Sequence, residues 1–300
     1  FISTTTNYHM ELDRYRPGFI IYSDAHTLVT SYGTTTHLIA GNSTQKGYRE
    51  GVGADARFGT ITGFAQISEK LVVVADSSNC CMRMIDRTTN TTSVFSGQCG
   101  SYGYQDGRPG QFSYLWSVMI DKRDKNQLLI TDYYNAAVRT VNVMSQVVGT
   151  FVKSDSLLYI RGITQEEKSG DLYVTAYNAL YRVTYTQRTV SLISGSTGSN
   201  PIDSPFNYPN ELIFITPETL LVADWDHSKL RLVHVNSDKV TTLNITNSLS
   251  SPGSLLLTNN SLYVGQDKKI TQYKCEYNIT AIHLKQQNFI QDSVYRIFSI

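Results

Sequence analysis

Long apolar runs are missing from this 300-residue chain; stretches such as "LIFI" and "SLLL" stop far short of the roughly 20 residues that span a bilayer. No segment is expected to insert directly into a membrane. Charge is sparse as well, at 17% of residues, with 26 Lys and Arg against 25 Asp and Glu and a formal net charge of +1. A near-neutral chain without blocks of like charge has no field to gather phosphate backbones, so nucleic acid is not an expected partner. Metal-binding spacings of the H-x-H, H-E-x-x-H and C-x-x-C kinds are absent, and so is the G-x-S-x-G nucleophile turn. The Gly-rich stretches "GSTGS" and "GVGADA" do not stand between a strand and a helix, where they could cradle phosphate. No cofactor or resident metal is expected. The chain also lacks an initiator Met and a charged-then-apolar leader, opening on Phe1, and is expected to be a processed or excised piece of a longer protein.

What is present leans toward strands. Hydrophobic residues make up 41% of the chain, enough for a packed core, and 20 tyrosines accompany short runs of Val, Ile and Thr. One motif recurs: "LVVVADSSNCCMRMID" at 71–86, "LLITDYYNAAVRTVNV" at 128–143 and "LLVADWDHSKLRLVHV" at 220–235. In each, an apolar run ends on an Asp and an Arg follows seven residues later: Asp76 and Arg83, Asp132 and Arg139, Asp224 and Arg231. Weaker copies follow Phe19, Leu172 and Ser261, with Asp24, Ala176 and Gln266 at the Asp position. The six anchors lie 52, 56, 44, 48 and 42 residues apart, so six units of one kind fill the chain. Units of this length, with strand patterns and no helical period, predict an array in which each unit buries its faces against its neighbours.

The fold class expected is all-β: a six-bladed β-propeller of four-stranded antiparallel blades, with residues 1–300 as one domain. In the second unit the strands are read as 63–67, 71–75, 81–85 and 92–96, from a strand apolar on both sides to one polar enough for an outer edge. The repeated Asp then ends the second strand, where its carboxylate can accept backbone N–H groups and face the Arg of the third. Because a catalytic residue is needed once and not in every unit, the repetition favours a structural staple over an active-site carboxylate. The first unit has no obvious innermost strand. Its ring-closing strand is expected from the C-terminal "VYRIFSI", which alternates, with the N-terminal "STTTNYHM" as the other candidate.

The series beginning "GYREGVGADARF" at Gly47, and again "GYQDGRPGQF" at Gly103, each leading into the apolar run, Asp and Arg, resembles the NHL repeat. The resemblance covers all six units and is specific in the second, third and fifth. It implies a six-bladed propeller but no single function, because such propellers bind RNA or proteins, serve as extracellular receptor modules, or act as lyases. Four cysteines bear on the compartment: Cys80, Cys81, Cys99 and Cys275. In an up-and-down blade the turn holding Cys80 and Cys81 and the loop holding Cys99 lie at the same end, so a disulfide between them is natural. Secreted-type relatives carry a Cys two places before the Arg, which matches Cys81 and implies Cys81–Cys99. Sequons start at Asn42, Asn90, Asn244, Asn259 and Asn278. Together these point to an extracellular, glycosylated protein, either secreted or part of an ectodomain.

The residues just after the anchors should project from one end of the ring. There stand Tyr133, Tyr134, Tyr177 and Trp225, with His26 and His227 close by, a plausible contact patch for a protein or glycan partner. The leading expectation is an extracellular recognition or adhesion module. Its rival is a metal-dependent lyase or hydrolase in the central channel, for which His26 and His227 would be the ligands on that rim.

Overall fold

The computed structural model describes residues 2–3, 7–196, 204–245, 248–267, 269–274 and 298–299. Six antiparallel sheets follow one another along the chain. Blade one is Asn7–Leu12, Ile20–Asp24, Thr27–Tyr32 and Thr35–Gly41. Blade two is Ile61–Gln66, Leu71–Asp76, Cys81–Asp86 and Thr91–Ser96, with the short Gly51–Val52 added outside. Blade three is Leu115–Ile120, Gln127–Asp132, Ala137–Asn142 and Val148–Lys153, and blade four is Ile160–Gln165, Leu172–Ala176, Asn178–Val183 and Val190–Ser196. Blade five is Pro209–Thr216, Thr219–Asp224, Lys229–His234 and Lys239–Leu243; blade six begins with Ser254–Leu257, Ser261–Gln266 and Lys269–Lys274. The expected six-bladed propeller is the observed fold.

The core is six separate cores, one per seam between blades. Ile21 and Leu28 pack with Phe58 and Phe64 between blades one and two, and Val73 and Met82 with Phe112 and Leu128 between two and three. Phe151 and Val152 meet Ile160 and Val174 between three and four, Tyr173 and Leu180 meet Leu212 and Val222 between four and five, and Leu221 and Leu232 meet Leu255 and Val264 between five and six. The second strands feed both seams, which is why Leu71–Asp76 is buried along nearly its whole length. With each fully buried Val, Leu or Phe contributing about 1.5 to 3 kcal/mol, these seams outweigh any single polar contact between blades.

Closure of the ring corrects one expectation. The innermost strand of blade one is Asn7–Leu12, paired with Ile20–Asp24, so the N-terminal segment supplies it and the C-terminal one does not. The same N-terminal stretch begins with Ile2–Ser3, which pairs with Lys269 and Ile270 of blade six. From the C-terminal "VYRIFSI" only Phe298–Ser299 is described, and it too pairs with the outer edge of blade six. One short stretch of chain thus belongs to the last blade and then to the first, tying them as a buckle does. The sixth blade's own seam with the first holds Met10, Ile20, Tyr22 and Ile270.

Innermost strands carry a bulge near their start in blades one to five, as register shifts show. Two glycines sit in these bulges because the next blade comes too close for a side chain. A Cβ on Gly63 would lie 2.6 Å from the Trp116 carbonyl, and one on Gly162 would lie 2.2 Å from the Asn210 carbonyl. Hydroxyls on the second strands fasten the same crossing points. Thr131 accepts from the Ser117 N–H at 2.8 Å and donates to the Arg161 carbonyl at 2.7 Å; Thr175 accepts from the Gly162 N–H at 2.9 Å and donates to the Asn210 carbonyl at 2.7 Å.

Candidate functional site

The anchors are structural, as the repetition suggested. Asp132 is fully buried and accepts the Ser113 N–H, the Asn135 amide and Arg139 Nη1, each at 2.8 Å. Asp76 accepts the Gly59 N–H and the Asn79 amide at 2.8 Å, with Arg83 at 3.4 Å. Asp224 accepts the Asn207 N–H at 2.8 Å and Arg231 Nε at 2.9 Å. Each carboxylate therefore catches the chain arriving from the previous blade. Burial pushes the Asp76 carboxyl up to about 6 and raises that of Asp132, against the pull of the Asn amide, the arriving N–H and the arginine.

The arginines are boxed in by the loop that carries the Gly-Tyr motif. Tyr48 and Phe58 lie 4.8 and 5.5 Å from the Arg83 guanidinium, and Tyr104 and Phe112 lie 4.6 and 5.3 Å from that of Arg139. Carbonyls of Arg49 and Gln105 accept their Nη2 groups. The disulfide Cys81–Cys99 is present, with Cα atoms 4.9 Å apart. Cys80 is a buried thiol in a left-handed cap, bonded to the Ser77 carbonyl at 3.4 Å. Cys275 and Asn278 lie outside the described residues.

The rim at the anchor end carries the aromatic patch. Tyr133 stacks on Trp116 with centroids 5.4 Å apart, and contacts run on through Tyr159, Tyr177 and Tyr208 at 5.2 to 5.6 Å per step. Tyr134 stands at the edge of Tyr133 and is 56% exposed. Next to this chain of rings opens a cavity of about 490 Å³ lined by Trp116, Arg161, Tyr208, Trp225, Asp226, Ser251 and Asp267. The Arg161 guanidinium lies over the rings of Trp116 and Tyr208, 4.8 Å from each, and Trp116 Nε1 reaches across the channel mouth to Asn210 Oδ1 at 2.8 Å. Burial raises the Tyr208 hydroxyl, helped by its hydrogen bond with Tyr177.

Of the six residues expected to bind, four gather here: Tyr133, Tyr134 and Tyr177 in the ring chain and Trp225 in the cavity wall. The histidines stand apart from the cavity. His227 Nδ1 is bonded to Asp224 at 2.8 Å, in the place of Asn79 and Asn135, and His26 sits in blade one's turn with Nδ1 buried and unpartnered. Among the described residues no three His, Cys, Asp or Glu side chains converge as metal ligands. Trp116, Arg161, Tyr208 and Asn210 were not anticipated, although the sequence carries a signal for them. "YLW" at 114–116, "YIR" at 159–161 and "YPN" at 208–210 repeat a Tyr, an apolar residue and a third residue that reaches the channel mouth. Each of these tyrosines has a left-handed backbone, with φ of 65°, 60° and 50°, turning the chain into the innermost strand.

Deeper in the channel lies a charged group on which no motif in the sequence bears. His9 Nδ1 is 2.7 Å from Glu211, and its Nε2 is 3.6 Å from Glu11. Burial alone would depress the imidazole, but the two carboxylates overcome it and raise it to about 10. Glu211 also accepts the Leu255 N–H at 2.6 Å, so one carboxylate of blade five holds blades six and one.

Comparison with known proteins bears on the fold. No protein-family model matches the chain, and no curated protein matches it in sequence. Among solved structures it is similar to an auxiliary nutrient binding protein from Bacteroides thetaiotaomicron, with a TM-score of 0.68 at 9% identity over 90% of this chain and 70% of that one. A chain of a nidogen/laminin complex gives 0.62 at 11% identity over 85% and 88%, and virginiamycin B lyase from Staphylococcus aureus gives 0.57 at 12% over 89% and 93%. The class defined by fold and neighbours is the six-bladed β-propeller, whose members include binding proteins and a lyase. At these identities the likeness shows the fold alone.

Proposed function

We propose that the chain is a single-domain NHL-type propeller that works as an extracellular recognition module, binding a protein or glycan through the rim formed by blades three to six. The observation that carries this is the cavity of about 490 Å³ at the channel mouth, walled by three aromatic rings and flanked by exposed Tyr134. Large rings with polar edges in a desolvated hollow are where recognition energy concentrates. The NHL assignment is supported by the loop geometry of blades two and three, where the Gly-Tyr motif closes over the stapled arginine in both. An extracellular setting is supported by Cys81–Cys99 and by Asn42, Asn90, Asn244 and Asn259, which stand partly or fully exposed. The rival metal-dependent reading requires His26 and His227 to share one ion; His227 is committed to Asp224, and neither lines the cavity.

The test is capture of partners from an extracellular matrix extract by the intact ring. Joint substitution Tyr134→Ala with Trp225→Ala should remove the captured partner while the melting temperature stays within a few degrees, since Tyr134 is largely exposed and Trp225 is half-buried. Unchanged capture by that variant would discard the rim.

A further inference from the structure

The mouth cavity holds charges of both signs that do not pair with each other. Arg161 comes from blade four, Asp226 from blade five and Asp267 from blade six; all three line one hollow, yet among the described residues no ion pair joins them. Resting on the rim reading above, we propose that this cavity takes a dipolar peptide segment. A basic group of the ligand, ammonium or guanidinium, is held by Asp226 and Asp267 against Trp225. A carboxylate or carbonyl of the same ligand is held by Arg161.

Arg161 is fixed as a donor. The rings of Trp116 and Tyr208 each lie 4.8 Å from its guanidinium, Nη1 donates to the Tyr208 carbonyl at 3.3 Å, and Nε is enclosed without a partner among the described residues. What remains is the Nη2 edge, a positive donor that cannot swing away to find a carboxylate. Its planar fork is pre-organised for an acceptor that arrives from outside. The other wall is the reverse. Asp226 and Asp267 are exposed, and their backbone N–H groups donate to the carbonyls of Asn207 and Ser250. Those bonds set the turns, and among the described residues no donor is bonded to either carboxylate. Trp225 sits beside them, and among the described residues no aromatic ring or cation packs on its indole, whereas Trp116 is covered by Tyr133 and Arg161. An indole flanked by two carboxylates attracts a cation by both its ring and its neighbours. The cavity carries one positive and two negative groups, so a neutral sugar would leave every charge unanswered, and a purely anionic ligand would meet net repulsion.

The experiment is a titration of the intact protein, followed by tryptophan fluorescence and calorimetry at low ionic strength. The probes are the dipeptide lysyl-glutamate, its fully amine-acetylated form, the uncharged-acid analogue lysyl-glutaminamide, and methyl α-glucoside. Lysyl-glutamate should bind, and each charge-deleted analogue should bind about tenfold more weakly, the loss expected for one charge-assisted hydrogen bond. Asp226→Asn with Asp267→Asn, both exposed and outside the core, should abolish the preference for free amines. Arg161→Gln should abolish the preference for the free acid while the preference for amines persists. Raising the salt should weaken the dipeptide. Equal binding of charged and acetylated dipeptide, or no binding of either, overturns the proposal. Tighter binding of the glucoside, insensitive to salt and to the two asparagine substitutions, overturns it as well; if Trp225→Ala then removes that sugar, the rim reading survives and the ligand class falls.

Discussion

Blades two, three and five and blades four and six solve the same problem with different chemistry. In the first group a four-residue turn separates the second and third strands, as in Tyr133 to Ala136, and the anchor faces an arginine seven residues on. In the second group the turn is two residues shorter, Ala176 pairing with Ala179 and Gln266 with Lys269. The register partner of the arginine then becomes Tyr181 or Thr271, opposite Val174 or Val264 as Arg139 is opposite Ile130. The task of catching the arriving chain survives without charge. Gln266 accepts the Ser250 N–H at 2.8 Å and donates to Thr271 at 2.9 Å, which does this for blade six; in blade four Asn178 instead accepts, at 3.3 Å, the Tyr208 N–H of the chain entering blade five. An uncharged acceptor can thus do the work of the carboxylate in blade six, whereas in blade four, with Ala176 at the corner, the arriving Tyr159 N–H goes to the Tyr133 carbonyl of blade three. Blade six is also held from the channel, where Glu211 of blade five accepts the Leu255 N–H and pairs with His9 of blade one.

The largest effect should come from breaking a charged corner. Asp132→Ala leaves Arg139 buried with its Asp106 contact at the exposed side and strands the Ser113 N–H, so it should cost about 3 to 5 kcal/mol in urea unfolding. Replacing both Asp132 and Arg139 with apolar residues should not restore stability, because the Ser113 N–H would still lack its acceptor and the Gln105 and Gln111 carbonyls, which keep their backbone partners, would each lose a charged donor. Full recovery in that double variant would mean the staple is dispensable.

A smaller effect, and one with a pH signature, belongs to the clamp around blade six. His9→Gln should cost about 2 kcal/mol near neutrality, as expected for a hydrogen bond to a charged partner. The folded imidazole titrates near 10 against 6.5 when unfolded, so its contribution is complete below pH 6.5 and fades as pH rises toward 10. Wild type and variant should therefore converge in stability on the alkaline side. Parallel curves from pH 6 to pH 10 would show that His9 is not charged in the folded protein.

The comparison also explains what was readable from sequence. The seven-residue spacing and the apolar second strands exposed six units because each stapled corner needs the same turn length and both faces of each second strand are buried. Cys81–Cys99 was legible through turn placement together with the family resemblance. The innermost strands were the weak point. They are bulged, half of their residues face the channel, and Trp116, Arg161 and Asn210 are of three unlike types, so neither alternation nor identity marks them. The first blade's inner strand escaped for the same reason: "NYHMEL" mixes His9 and Glu11 with apolar residues because the channel there is charged. His227 misled for the opposite cause, as a polar residue near the rim whose ring completes a buried corner.

The mildest test sharpens the comparison within blade six. Gln266→Ala removes one acceptor for the Ser250 N–H and one partner of Thr271 and should cost about 1 to 2 kcal/mol, clearly less than Asp132→Ala. Gln266→Asp is the more telling change, since it installs the anchor residue of blades two, three and five in a blade that has Thr271 in place of the arginine. A carboxylate that is one methylene shorter, buried and without a cation should be no better than alanine below neutral pH and worse above it, because ionising there meets burial with no opposing charge. Measured stability of this variant rising with pH would show that the backbone N–H groups alone can hold an anchor carboxylate, and that the arginine is there for the Gly-Tyr loop it lies under and not for the Asp.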